Sequence, residues 1–171
     1  MVEVTVAIGI FAFVVVAILG LFPAALRLRT DSALETRAVM IANELFASVR
    51  ASTNISNVTL RAGPNFSDSS NIQAVSLAGS GSVVVGYPAN TCVPFYMWYA
   101  GRGGDASDPT AAWERGEMSS GATANAIQTL AKLYATQVTN NLYQVTVEVR
   151  APAVARLERT PPMVFTTLHY S

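Results

Sequence analysis

From Val4 to Leu26 no side chain carries a charge, and Thr5 alone among them is polar. A helix of that length reaches roughly 35 Å, enough to cross a bilayer core of about 30 Å with some tilt. A cleavable secretory signal starts basic and holds an apolar stretch of only about 7–15 residues. Here the flank is acidic, through Glu3, and the run is longer. Beyond Arg27 the pattern turns one-sided. Leu34, Ala38, Ile41, Leu45 and Val49, joined by Ala42 and Phe46, recur at three- and four-residue spacing, while Arg29, Ser32, Thr36, Asn43 and Arg50 take the other side. Residues 1–52 thus predict one helix about 75 Å long, apolar all round in its first half and amphipathic in its second. Gly9, Gly20 and Pro23 interrupt the run, and proline removes a backbone hydrogen bond, so a kink or local melting is expected near residues 19–23, with Gly20 and Pro23 as candidate hinge residues.

Residues 53–171 read differently. Turn signals recur at Ala62–Asn65, Gly79–Ser82, Tyr87–Asn90 and Gly101–Pro109. The runs between them predict strands at Ala74–Leu77, Ser82–Gly86, Phe95–Ala100, Leu142–Arg150 and Met163–His169. Tyr143, Val145, Val147 and Val149 alternate with Gln144, Thr146, Glu148 and Arg150, the mark of a strand with one buried face. The proline-containing linker Ala151–Pro162 suits a long hairpin loop between the last two strands. Ala122–Tyr134 reads as a short helix with Ala126, Ile127, Leu130 and Leu133 on one side. The fold class expected is α+β: a long N-terminal helix packed through its amphipathic half on an antiparallel sheet.

Composition sharpens this picture. Charged residues make up 13% of the chain and hydrophobic ones 51%, against roughly 25% charged in typical globular chains. The formal net charge is zero and the part beyond residue 52 balances as well, so no basic footprint for nucleic acid emerges. One cysteine, Cys92, excludes an internal disulfide and a thiolate cluster.

Chemistry is sparse. Nucleophilic catalysis needs a base in hydrogen-bond reach, which leaves Cys92 with His169 or a serine with Lys132, neither inside a motif. No catalytic residue is assigned and no cofactor is expected. Gly101–Pro109 lacks the Gly-Lys-Ser/Thr ending of a phosphate loop. Asp105 and Asp108, with Glu114 and Glu117 nearby, are oxygen donors of the kind calcium takes, but their spacing fits no motif and a solvated loop is the simpler reading. Phe95–Tyr99 is aromatic-rich, as strand cores are. Asn54-Ile55-Ser56, Asn57-Val58-Thr59 and Asn65-Phe66-Ser67 are glycosylation sequons.

The N-terminal run admits three readings: a plain anchor, a buried core helix, and a segment that lives first in lipid and later in protein. Length argues against a core helix. Glu3 separates the other two, because a carboxylate at the edge of an apolar span costs a few kcal/mol unless paired or interfacial.

Met1-Val2-Glu3-Val4-Thr5-Val6-Ala7-Ile8-Gly9-Ile10, followed by the unbroken apolar stretch, resembles the start of mature type IV pilins and type II secretion pseudopilins. The resemblance covers about the first 50 residues. It implies a short basic leader removed by a prepilin peptidase, and a chain start so close to Glu3 that one or two mature residues precede Met1. It also implies that Glu3 pairs with the N-terminal amine of a neighbouring subunit, which offsets the cost of placing either charge in an apolar bundle. The helix-breaking proline of the family sits slightly earlier, where this chain has Gly20. Arg27 and Arg29 follow the span with nothing basic before it, which by the positive-inside rule puts the head in the cytoplasm; a removed basic leader reverses that.

Three functions stay open at this stage. One is a structural subunit, held in the bacterial inner membrane as a single-pass precursor and then assembled with copies of itself and other pilins into an extracellular filament by an assembly ATPase and platform. The second is a minor pilin or pseudopilin that primes or tips such a filament. The third is a single-pass anchored binding module, in which Glu3 is incidental.

Overall fold

The computed structural model describes residues 2–61, 72–79, 81–88, 92, 94, 96–99, 113, 127–152 and 161–171. Helix α1 (Val2–Ala51) is followed by strands β1 (Val58–Arg61), β2 (Ile72–Val75), β3 (Ser82–Pro88), β4 (Tyr96–Tyr99), β5 (Ile127–Thr139), β6 (Leu142–Arg150) and β7 (Met163–Tyr170). This is the α+β class expected. Strands β1 and β2 form a two-stranded antiparallel sheet; the others form a five-stranded antiparallel sheet in the order β4-β3-β5-β6-β7.

Contacts along the chain divide it into two compact units, Met1–Thr36 and Arg37–Ser171, so the division falls inside α1. In the first unit every described side chain is exposed except Val15 and Leu34, which are half-buried. The helix is continuous through Gly20 and Pro23. The backbone stays helical there without local melting, Pro23 deleting a single backbone donor from the ladder.

In the second unit the amphipathic pattern is realised. Ala38, Ile41, Ala42, Leu45, Phe46 and Val49 are buried, and Asn43 and Arg50 are exposed. The buried row packs into one cluster with Val83, Val85 and Tyr87 of β3, Ala131, Leu133 and Ala135 of β5, and Val145, Val147 and Val149 of β6. Ile55, Val58, Leu60, Val75 and Leu77 extend that cluster under the small sheet. The helix ends where Ser52 turns back, its amide donating to the Val49 carbonyl at 3.1 Å and its hydroxyl at 2.6 Å, which satisfies a terminal acceptor.

Two expectations need correction. The helix over Ala122–Tyr134 is not formed where it is described: Ile127–Tyr134 belongs to β5, the central strand, held by β3 on one side and β6 on the other. The apolar spacing there suits either period, and ladder pairing on both edges decided for the strand. β6 is also not buried on one face only. Thr146 and Arg150 of its second face are buried as well, Arg150 against the Trp113 ring. The remaining strands agree with expectation to within a few residues, β6 matches its predicted bounds, and β6 and β7 pair as a hairpin. β1 has no counterpart among the predicted strands.

Candidate functional site

Every described side chain of the apolar half of α1 is exposed except Val15, which is half-buried. The most apolar stretch of the helix has a mean hydropathy of 2.9 and no buried residue, so one helix near the N-terminus is long and apolar enough to span a membrane. Phe13 is 76% exposed. Contiguous apolar surface on this scale marks contact with lipid or protein. Glu3 lies in the first turn, exposed, where the positive end of the helix dipole favours a carboxylate. A Cβ added at Gly9 or Gly20 would meet no atom of the described residues within 4 Å.

Behind the core face of α1 a set of polar groups gathers against β3. Arg37 donates to the Pro88 carbonyl. Two turns along, burial raises the Glu44 carboxyl to about 7, and its Oε2 has no hydrogen-bond partner among the described residues. The fully buried Tyr87 hydroxyl, likewise without a partner there, is pushed well up by burial and by the Glu44 and Cys92 charges. Cys92 is half-buried and packs on the core; burial and then Glu44 push its thiol up, with Arg37 opposing. A raised thiol is a poor nucleophile. No hydrogen bond joins Cys92 to His169, which is buried on β7 with Nε2 unpartnered among the described residues. Among the described residues, no three His, Cys, Asp or Glu side chains gather in a way that could hold a metal.

The opposite face of the sheet carries a second cluster. Arg150, buried at the end of β6, donates to the Trp113 carbonyl, with its guanidinium 5.4 Å from the indole centroid. The Lys132 ammonium lies 5.8 Å from the same ring and 5.5 Å from that of Tyr134. Tyr134 in turn donates a 2.8 Å hydrogen bond to Glu148 Oε1. Burial, then the bond and charge of Glu148, raise the Tyr134 phenol, while burial lowers Arg150. Beside this row an open cleft of about 450 Å³ is walled by Gly79, Gly81 and Ser82.

No family model matches the chain, and no curated protein or solved structure matches it. The functional reading therefore rests on the residues themselves.

Asn54 and Asn57 are exposed, just beyond α1. The Asn54 carboxamide caps its own turn by accepting from the Ser56 amide at 2.7 Å. Asn65, Asp105 and Asp108, and with them the calcium and third glycosylation candidates, lie outside the described residues. So does Phe95, whereas Tyr96–Tyr99 forms β4 as expected. Sequence reasoning missed the group around Trp113. The available signal was Val83-Val84-Val85, three apolar residues in a row on a strand, which calls for cover on both faces.

Proposed function

We propose that the chain is a structural subunit of a type IV pilus-like extracellular filament. Residues 4–26 hold it in the inner membrane as a single-pass precursor, and the same helix then packs with those of neighbouring copies in the filament core. The observation that supports this reading is the apolar half of α1, in which no described residue is buried, with Glu3 in its first turn. A plain anchor needs the apolar run but has no use for the acid. Glu3 pairs with the N-terminal amine of an adjacent subunit, so that neither charge stays uncompensated in the bundle.

Leaving lipid for a helical bundle gains little apolar burial, because lipid tails are as apolar as the helix. Assembly therefore requires an ATP-driven platform, and maturation a prepilin peptidase. Priming or tip subunits share the same helix. Abundance separates the cases, since a main subunit dominates sheared filaments and a priming subunit is scarce while its deletion abolishes assembly. The test is recovery of the chain in filaments sheared from its native cells. Its retention in the membrane fraction alone would favour the anchored module.

A further inference from the structure

The described residues of the outer sheet face hold one juxtaposition that core packing does not explain. Lys132 on β5 stands directly across the ladder from Glu148 on β6. Opposite charges so placed ordinarily close on each other. Here no ion pair forms between them: the ammonium rests by the Trp113 and Tyr134 rings at 5.8 and 5.5 Å, and Glu148 Oε1 takes the Tyr134 hydroxyl at 2.8 Å. Glu148 Oε2 makes no hydrogen bond to any described residue. The two stand apart, each against an aromatic neighbour, and both line the 450 Å³ cleft.

The wall is equally fixed. A Cβ at Gly81 would come within 2.7 Å of the Ser76 carbonyl oxygen, so glycine lets the chain close tightly there, and Gly79 takes a φ of +75°, open to glycine at no steric cost. Ser82 at the start of β3, and Thr136 and Gln137 on β5, also line the cleft. The volume lies within the roughly 300–1,000 Å³ of small-molecule sites.

We infer that this cleft binds a neutral saccharide, with a vicinal diol bridging Lys132 and Glu148. One hydroxyl oxygen accepts from the Lys132 ammonium, and its neighbour donates to Glu148 Oε2. An anionic ligand gains Lys132 but meets Glu148, and a cationic one meets the reverse. A diol presents acceptor and donor side by side and satisfies both. Because the Tyr134 hydroxyl already holds Glu148 and Lys132 rests against two rings, part of the rotamer entropy cost is met before binding. The face continues onto exposed Val164, which stands across from Glu148, and Leu168 on β7, apolar ground for the C–H face of a second sugar ring. Sugar binding does not require filament assembly, so either can fail without the other.

The test uses the full chain in phosphocholine-detergent micelles, which carry no sugar, with NMR titrations of maltose, cellobiose and chitobiose and of glucuronate as the charged control. At least one disaccharide should shift Lys132, Tyr134 and Glu148 resonances saturably, with a dissociation constant in roughly the millimolar range that a few net hydrogen bonds sustain. Lys132→Gln and Glu148→Gln should each weaken it by about tenfold, and Tyr134→Phe, which keeps the ring but frees Glu148 to approach Lys132, should weaken it with the fold intact by near-UV circular dichroism. No saturable shift up to ~100 mM, tighter binding of glucuronate than of any disaccharide, or affinity unchanged in all three variants would overturn the inference.

Discussion

Arg150 lies buried at the end of β6 with its guanidinium 5.4 Å from the Trp113 ring and a hydrogen bond to the Trp113 carbonyl. A strand position that alternation assigns to solvent is thus buried, across the ladder from buried Leu130. Trp113→Ala removes the buried ring against Arg150, and should cost about 3–5 kcal/mol of stability, as large-to-small changes at buried aromatics do. Arg150→Ala should cost at least about 2 kcal/mol by leaving the Trp113 carbonyl without this donor. Urea midpoints of the full chain in micelles measure both.

The two halves of α1 should respond oppositely to truncation. Leu45→Ala opens the core against β3, β5 and β6 and should cost about 2–5 kcal/mol. Phe13→Ala removes a side chain that is 76% exposed and should leave the unfolding midpoint of the head unchanged, within about 0.5 kcal/mol. Thermal scans of the two variants side by side make the comparison.

How much of this was legible beforehand follows from which signals were local. The change in α1 from all-round apolar to one-sided is written in its own residues, and the row from Ala38 to Val49 came out buried as its spacing required. The alternation of Val145, Val147 and Val149 likewise placed one face of β6 on the core. β5 was not legible, because Ala126, Ile127, Leu130 and Leu133 satisfy a helical spacing and only pairing with β3 and β6, a long-range fact, selects the strand. Trp113 lies distant in sequence from the residues it covers. The split between Lys132 and Glu148 depends on the register of β5 on β6, which no periodicity specifies.

Stability should fall as pH rises through neutrality, on account of Glu44. Its carboxyl is lifted from 4.5 to about 7 by burial. Between those values the folded chain holds a proton that the unfolded chain has released, so the contribution is fully present below about 4.5 and lost as pH rises through about 7. The side chain is half-exposed and screened, which limits the loss to on the order of 1 kcal/mol. Glu44→Gln cannot ionise, and should flatten the urea midpoint between pH 4.5 and 8. An unchanged slope would assign the pH dependence elsewhere.

Gly20→Ala should raise the helix content of the chain in micelles, by up to about 1 kcal/mol of local stability, since no atom of the described residues lies where the new methyl would sit. Circular dichroism at 222 nm reads this. If the same variant also lowers filament yield, glycine serves close approach between helices of different subunits.

The most direct measurement is the yield of sheared filaments from native cells carrying Glu3→Ala, with membrane insertion followed in parallel. An N-terminal amine left uncompensated in the bundle costs about 3–5 kcal/mol per subunit, enough to lower assembly by more than about 100-fold. The variant should therefore insert normally and yield almost no filaments. Filaments at the wild-type level would contradict the assignment of α1 as an assembly helix and leave it a membrane anchor.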